Sequence, residues 1–235
     1  MTMSQLHLFH PDEPKLGEKS KEQAQNNMPQ KPWPQLPFLC VDTETTGLDH
    51  TSNRVIEVAW ILFEQEKEIF SDSRLCSIGT PLPAEIVTLT GIQDAMLVDK
   101  PAFAAHADDL LKAMAKAKFI VAYNAKFDRL FLESEMRLIG KTMPDLPWVD
   151  PCIFIREIDR YKKGKRLKDA STRWGVTLKD AHRALADATA TGLLLYKLVP
   201  HLKNELLHDL MQQQNRWQEE QEHNYNTYMA KKQRP

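Results

Sequence analysis

The stretch Phe38-Leu39-Cys40-Val41-Asp42-Thr43-Glu44-Thr45-Thr46-Gly47 decides the fold of this chain. Its four leading apolar residues form a short run of the kind that makes a strand buried on both faces. Residues two apart on an extended backbone point to the same side, so the carboxylates of Asp42 and Glu44 can converge on one point. Thr45-Thr46-Gly47 then ends the strand. Taken alone the D-x-E pattern is weak, because paired acids at a strand end are most often solvated turn residues.

Outward from this strand, residues 55–63 form a second run rich in β-branched and aromatic side chains. The charged residues 64–68 make a turn, and a third strand follows over 69–78. Short connections predict that these three strands are antiparallel neighbours. The pattern then changes. Residues 84–89 and 102–117 carry helical spacing, 119–122 form another buried strand and 127–139 a helix. Val149 ends a brief strand, and helices follow at 151–161, 167–174 and 184–198. Three antiparallel strands followed by alternating helices and strands predict an α/β fold, a mixed five-stranded sheet flanked by helices.

Residues 1–36 read as a flexible leader, because the Pro-, Lys-, Glu-, Gln- and Asn-rich stretch ending at Lys31-Pro32-Trp33-Pro34 has too little apolar surface to offset the entropy of ordering. Residues 37–200 make the domain. Residues 201–235 form a Gln- and Glu-rich helical tail with a sparse stripe of Leu206, Leu210, Trp217 and Tyr228, expected to pack weakly. At 235 residues, with 42% hydrophobic and 27% charged, the composition is globular. The formal net charge of −1 makes any basic surface local. Cys40, Cys76 and Cys152 lie far apart with no C-x-x-C pair, which excludes a zinc ribbon and points to buried reduced thiols. The N-terminus lacks the apolar core of a signal peptide, and no stretch approaches the roughly 20 apolar residues that span a bilayer. A cytoplasmic protein without membrane contact is expected.

Two further elements bear acids. Asp128 stands at the junction of the fourth strand and the next helix, in Tyr123-Asn124-Ala125-Lys126-Phe127-Asp128, where carboxyl ends of strands commonly carry ligands. A helix-start acid favoured by the dipole is the plainer account of it. Asp187, in His182-Arg183-Ala184-Leu185-Ala186-Asp187, lies one turn into a helix of small apolar residues, where a carboxylate is costly unless paired or bound to metal. His182 precedes that helix, on a loop able to approach Asp187.

Strand-D-x-E, then strand-x-N-x-x-F-D, then H-x-x-x-x-D on a helix resembles the three exonuclease motifs of the DEDDh family, and most closely its bacterial polymerase III epsilon-type branch. The likeness runs from Phe38 to Val199 and includes Leu89-Thr90-Gly91-Ile92, Asp99-Lys100-Pro101 and Arg173-Trp174-Gly175-Val176. It implies an RNase H-like fold and 3′→5′ exonuclease activity on DNA in proofreading or repair, with two divalent cations, Mg²⁺ or Mn²⁺, as cofactors. Hard cations of this kind prefer oxygen ligands. By the resemblance Asp42, Glu44 and Asp187 hold the first cation, Asp42 bridges to the second, and Asp128 acts through water or by orienting metal. His182 is the implied general base, its ordinary pKa of about 6.5 suiting proton abstraction near neutrality. Thr45 and Leu48 are implied to meet the terminal nucleotide, and Asn124 the substrate backbone. The chain departs from the family at Tyr123 and Thr90, where relatives carry His, which leaves the preferred 3′ end open.

Seven basic residues, Arg156, Arg160, Lys162, Lys163, Lys165, Arg166 and Lys168, precede the His182 loop, where they could gather phosphates or simply solvate a helix end. At the N-terminus Gln5-Leu6-His7-Leu8-Phe9 resembles the Gln-Leu-x-Leu-Phe peptide by which bacterial replication and repair proteins dock on the sliding clamp. Gln5, Leu6, Leu8 and Phe9 are thus its candidate partner-binding residues, with the leader as tether. The expected partners are a DNA 3′ end, the clamp and a DNA polymerase subunit. An RNA-trimming exonuclease and a non-catalytic replication adaptor are the alternatives.

Overall fold

The computed structural model describes residues 30–177 and 183–232. Among them a five-stranded sheet runs in the order β3-β2-β1-β4-β5. Its strands are β1 (Phe38–Thr45), β2 (Val55–Glu64), β3 (Lys67–Leu75), β4 (Phe119–Val121) and β5 (Trp148–Val149). β1–β2 and β2–β3 are antiparallel, whereas β1–β4 and β4–β5 are parallel. The helices are α1 (Ala84–Thr90), α2 (Asp94–Leu97), α3 (Ala107–Met114), α4 (Ala125–Leu138), α5 (Pro151–Ile158), α6 (Leu167–Arg173), α7 (Ala184–Leu198) and α8 (Leu207–Lys232). The mixed sheet read from the strand spacing is therefore present, and helices cover both faces. Cys40, Cys76 and Cys152 are buried thiols.

The period of two divides the core. Leu39, Val41, Val58, Trp60 and Leu62 pack with Leu110, Met114 and Phe131 on one face. Phe38, Cys40, Ile61 and Phe63 face Phe154, Leu194, Leu198 and Leu210 on the other. No helix among the described residues is long and apolar enough to cross a membrane.

Order begins before Phe38. Trp33 is 1% exposed, its indole N–H donates to the Asn204 carbonyl at 2.9 Å, and its backbone N–H donates to Glu205 at 2.8 Å. A proline-flanked tryptophan has no periodicity to betray it, so only the tertiary contact shows that this residue belongs to the core. The rest of the leader, residues 1–29, lies outside the described residues.

The tail helix is also held more firmly than its sparse stripe implies. Leu207 and Leu210, not Leu206, are buried, while Tyr228 is exposed. Gln214 accepts from the Asp150 backbone N–H at 2.7 Å and donates to the Trp148 carbonyl at 2.9 Å. Its amide thus satisfies the open edge of β5 as a neighbouring strand would. Gln221 donates to the Ile153 carbonyl, and Trp217 packs edge-on against Phe154.

Candidate active site

Asp42 and Glu44 continue the face that Phe38 and Cys40 begin, so the side of β1 that is apolar at its start turns acidic at its carboxyl end. α7 crosses that side. A Cβ on Gly192 would come within 2.4 Å of the Phe63 ring and 2.8 Å of the Cys40 sulfur. Only glycine lets the helix lie this close, and Ala188 and Ala190 keep the neighbouring turns thin. The close approach brings Asp187, in the first turn of α7, over the acidic end of β1. Asp42, Glu44 and Asp187 each offer an oxygen within 4.8 Å of the others.

Asp128 arrives from the opposite layer. The β1–β4 ladder ends at Cys40↔Val121, leaving the rest of β1 without a strand partner on that side. The Asp128 carboxylate takes over, accepting from the Thr43 backbone N–H at 2.9 Å and its hydroxyl at 2.8 Å. The turn that launches α4 is itself clamped. Asn124 is left-handed, at φ 69°, and Asp150 accepts from the N–H groups of Asn124, Ala125 and Cys152. Asp150 therefore caps α5 while fixing the entry to α4, and Gln214 in turn holds its own N–H. Asp150 escaped the sequence reading, since an acid before a proline reads as an ordinary N-cap.

Glu57 was missed as well. The β1–β2 register shifts between Glu44 and Thr45, a bulge of the kind that re-aims side chains beside active sites. Just before the shift, in the regular register, Glu57 lies directly opposite Glu44, where like charges repel. Glu57 is 1% exposed and accepts from the Ser73 hydroxyl at 2.7 Å, Arg183 at 3.2 Å and the Ala184 N–H at 3.4 Å. Its signal was visible, being the sole charged residue in the run 55–63.

The electrostatics follow from this crowding. Burial pushes the Asp42 carboxyl well above the usual carboxylate range, and Asp128, Asp187, Glu44 and Glu57 push it further. Glu44 is raised to about 8 by burial and then by Asp187, Glu57 and Asp128, with Arg183 opposing. Burial raises Asp128 to about 7 against the lowering effect of its bonds from Thr43. A nest of acids that repel one another out of water is a site whose charge calls for cations.

The other expected residues are placed as follows. Leu48 is 42% exposed, Asn124 is exposed, and Thr45 is buried with its hydroxyl donating to the Gly47 carbonyl at 2.6 Å. Tyr123 is half-buried and donates its hydroxyl to the Lys165 carbonyl. Thr90 is buried, donates to the Ile86 carbonyl and accepts from the Ile92 N–H. His182 lies outside the described residues, as do Gln5, Leu6, Leu8 and Phe9.

The family model RNase_T, described as an exonuclease, matches residues 39–195. The DNA polymerase III subunit epsilon of Treponema pallidum is 31% identical over 166 residues, covering 70% of this chain and 77% of that protein. A DNA polymerase III subunit epsilon-like protein of Rhodobacter capsulatus is 30% identical over 185 residues, covering 77% of this chain; the match spans 26% of that longer protein. Among solved structures, E. coli exonuclease I in complex with a dA16 oligonucleotide superposes with a TM-score of 0.63 at 22% identity, over 76% of this chain and 42% of that one. This last likeness concerns the fold.

Proposed function

This chain belongs to the RNase_T exonuclease family, and on that premise we propose that it releases nucleotides from the 3′ ends of DNA by metal-dependent phosphodiester hydrolysis. The observation that carries the reading is the convergence of Asp42, Glu44 and Asp187 within 4.8 Å, with Asp128 buried beside them. A divalent cation fits this donor set: the ligands are all hard oxygens, and burial and the neighbouring acids raise the pKa values of Asp42 and Glu44.

Asp42, Glu44 and Asp187 would hold one ion, and Asp42 with Asp128 would serve a second. Two such ions, Mg²⁺ or Mn²⁺, would neutralise the phosphate and favour ionisation of the attacking water. Thr43 keeps Asp128 in place through its two hydrogen bonds. Glu57 anchors the start of α7, so that Asp187 enters the site from a fixed point. His182 would accept the proton of the attacking water. Asn124, Tyr123, Thr45 and Leu48 would line the path of the terminal nucleotide.

Incubating the full chain with a 5′-labelled single strand and Mg²⁺ or Mn²⁺ should give a ladder that shortens from the 3′ end and stops on chelation. No nucleotide release with either metal overturns the proposal, and faster degradation of a matched RNA strand overturns the DNA assignment.

The leader supplies an address. Leu8 and Phe9 would sit in an apolar groove of the sliding clamp, with the rest of the leader as tether. The two epsilon-named relatives support a replication setting. Purified bacterial clamp should retain the chain, and changing Leu8 and Phe9 to Ala should weaken binding at least tenfold while exonuclease activity on free strands is unchanged. Equal retention of the variant removes the tether.

A further inference from the structure

The loop between α5 and α6 is basic, exposed and yet tightly held. From Arg160 to Lys168 it carries six basic residues and no acid, in a chain of formal net charge −1. Residues 160–164 are all exposed, and Tyr161 is 94% exposed. A lone exposed aromatic is unremarkable on a mobile loop. Here the backbone beneath it is pinned at successive carbonyls. Arg173 donates to the carbonyls of Lys163 at 3.1 Å and Gly164 at 2.9 Å, and its Nε reaches the Asp159 carboxylate at 2.6 Å. Lys165 donates to the carbonyls of Asp159 and Lys162. The Trp174 indole also binds the Asp159 carboxylate, at 3.0 Å. Gly164 is left-handed at φ +74°, and a Cβ there would meet the Asp169 carboxyl at 2.7 Å. With its carbonyls engaged on the protein side, the loop presents Tyr161 and Lys163 to solvent, and Lys162, also exposed, lies 3.4 Å from the Asp159 carboxylate.

The same loop is joined to the acidic site. Tyr123 donates its hydroxyl to the Lys165 carbonyl, and the next residue, Asn124, opens the turn into the helix that bears Asp128. Resting on the exonuclease reading, we propose that this loop is a second nucleic-acid contact, a platform on which Tyr161 stacks a base of the substrate strand upstream of its 3′ end. Lys162 and Lys163 hold the adjoining phosphates. A single strand is the occupant that uses both features: its phosphates answer the positive charge, and its unstacked bases offer π-faces to an exposed ring on a held backbone. A duplex keeps its bases stacked, and an acidic peptide would engage the lysines and leave the ring unused.

Fluorescence anisotropy of the full chain with labelled oligothymidylates of 3 and 15 nucleotides, in chelator so that nothing is cleaved, tests this directly. Tyr161→Ala should weaken binding of the 15-mer about tenfold, with the 3-mer unaffected, and Tyr161→Trp should restore it. Lys162→Ala with Lys163→Ala should flatten the salt dependence of 15-mer binding by about 0.7 per lysine in the log–log slope. Unchanged 15-mer affinity in Tyr161→Ala overturns the proposal, and so does an equal loss on both lengths, which would place the effect at the acidic site. The two readings fail separately: Tyr161-dependent binding without nucleotide release sinks the exonuclease assignment alone, whereas nucleotide release with no Tyr161 effect on binding sinks the platform alone.

Discussion

Asp42→Asn reduces nucleotide release at least about a thousandfold and, with metal removed, makes the folded chain more stable. The two effects share one cause. Asp42 is the acid on which the others converge: Asp128, Asp187, Glu44 and Glu57 all raise its pKa, after burial itself. An isosteric amide keeps the shape of the strand end, takes one charge from the cluster, and cannot supply an anionic ligand. Steady-state release from a 5′-labelled strand measures the first effect, and wild-type rates in the variant would remove Asp42 from the site.

The stability effect has a definite sign. Glu44 moves from 4.5 to about 8 on folding, and Asp128 from 3.8 to about 7. Between those limits the folded chain binds more protons than the unfolded one, so stability declines as pH rises. The contribution of these groups is fully present below about 4 and lost by about 8. Divalent cations, binding only the folded site, should restore stability most at the alkaline end. Thermal midpoints of chelated protein at pH 5.5 and 8.5 test this. The wild type should be distinctly less stable at pH 8.5, and Asp42→Asn should narrow the gap. Equal midpoints for the chelated wild type at both pH values would show that the acids do not repel one another as their packing requires.

How far the site could be read from sequence depends on whether a residue's role is local. Asp42 and Glu44 were legible because strand periodicity alone puts them on one face, and Asp187 because a charge in a small-residue helix has few plain explanations. The thinness of that helix proved to be the device that lowers Asp187 onto β1, with Gly192 against Cys40 and Phe63. Glu57 stood out as a charge in an apolar run, but its place opposite Glu44 depends on the register of β1 against β2, which no periodicity marks. Asp150, Gln214 and Trp33 were illegible because their partners lie far along the chain: 64 residues separate Asp150 from Gln214, and 171 separate Trp33 from Asn204. Such contacts overrule local propensity without leaving a local trace.

His182→Ala is expected to lower turnover by about 10²- to 10⁴-fold, the range typical of a positioned general base, while leaving metal binding intact. The case rests on chemistry and attachment. An imidazole with an ordinary pKa of about 6.5 is the side chain best matched to accepting a proton near neutral pH, whereas Glu44 and Asp128 are acids of the kind that bind cations. Arg183, the next residue, is fixed to the buried Glu57, and the Ala184 N–H binds the same carboxylate. The described chain after His182 is therefore tied to the acidic site from Arg183 onward. A ligand and a base are separated by what each variant keeps. Asp42→Asn should lose both turnover and the rise in thermal midpoint that Mg²⁺ produces. His182→Ala should lose turnover and retain that rise, and its residual rate should no longer follow a titration near pH 6.5. Full activity in His182→Ala sinks the assignment. Loss of the Mg²⁺-dependent rise in the same variant would instead make His182 part of the structure that holds the ions, and the proton would then need another acceptor.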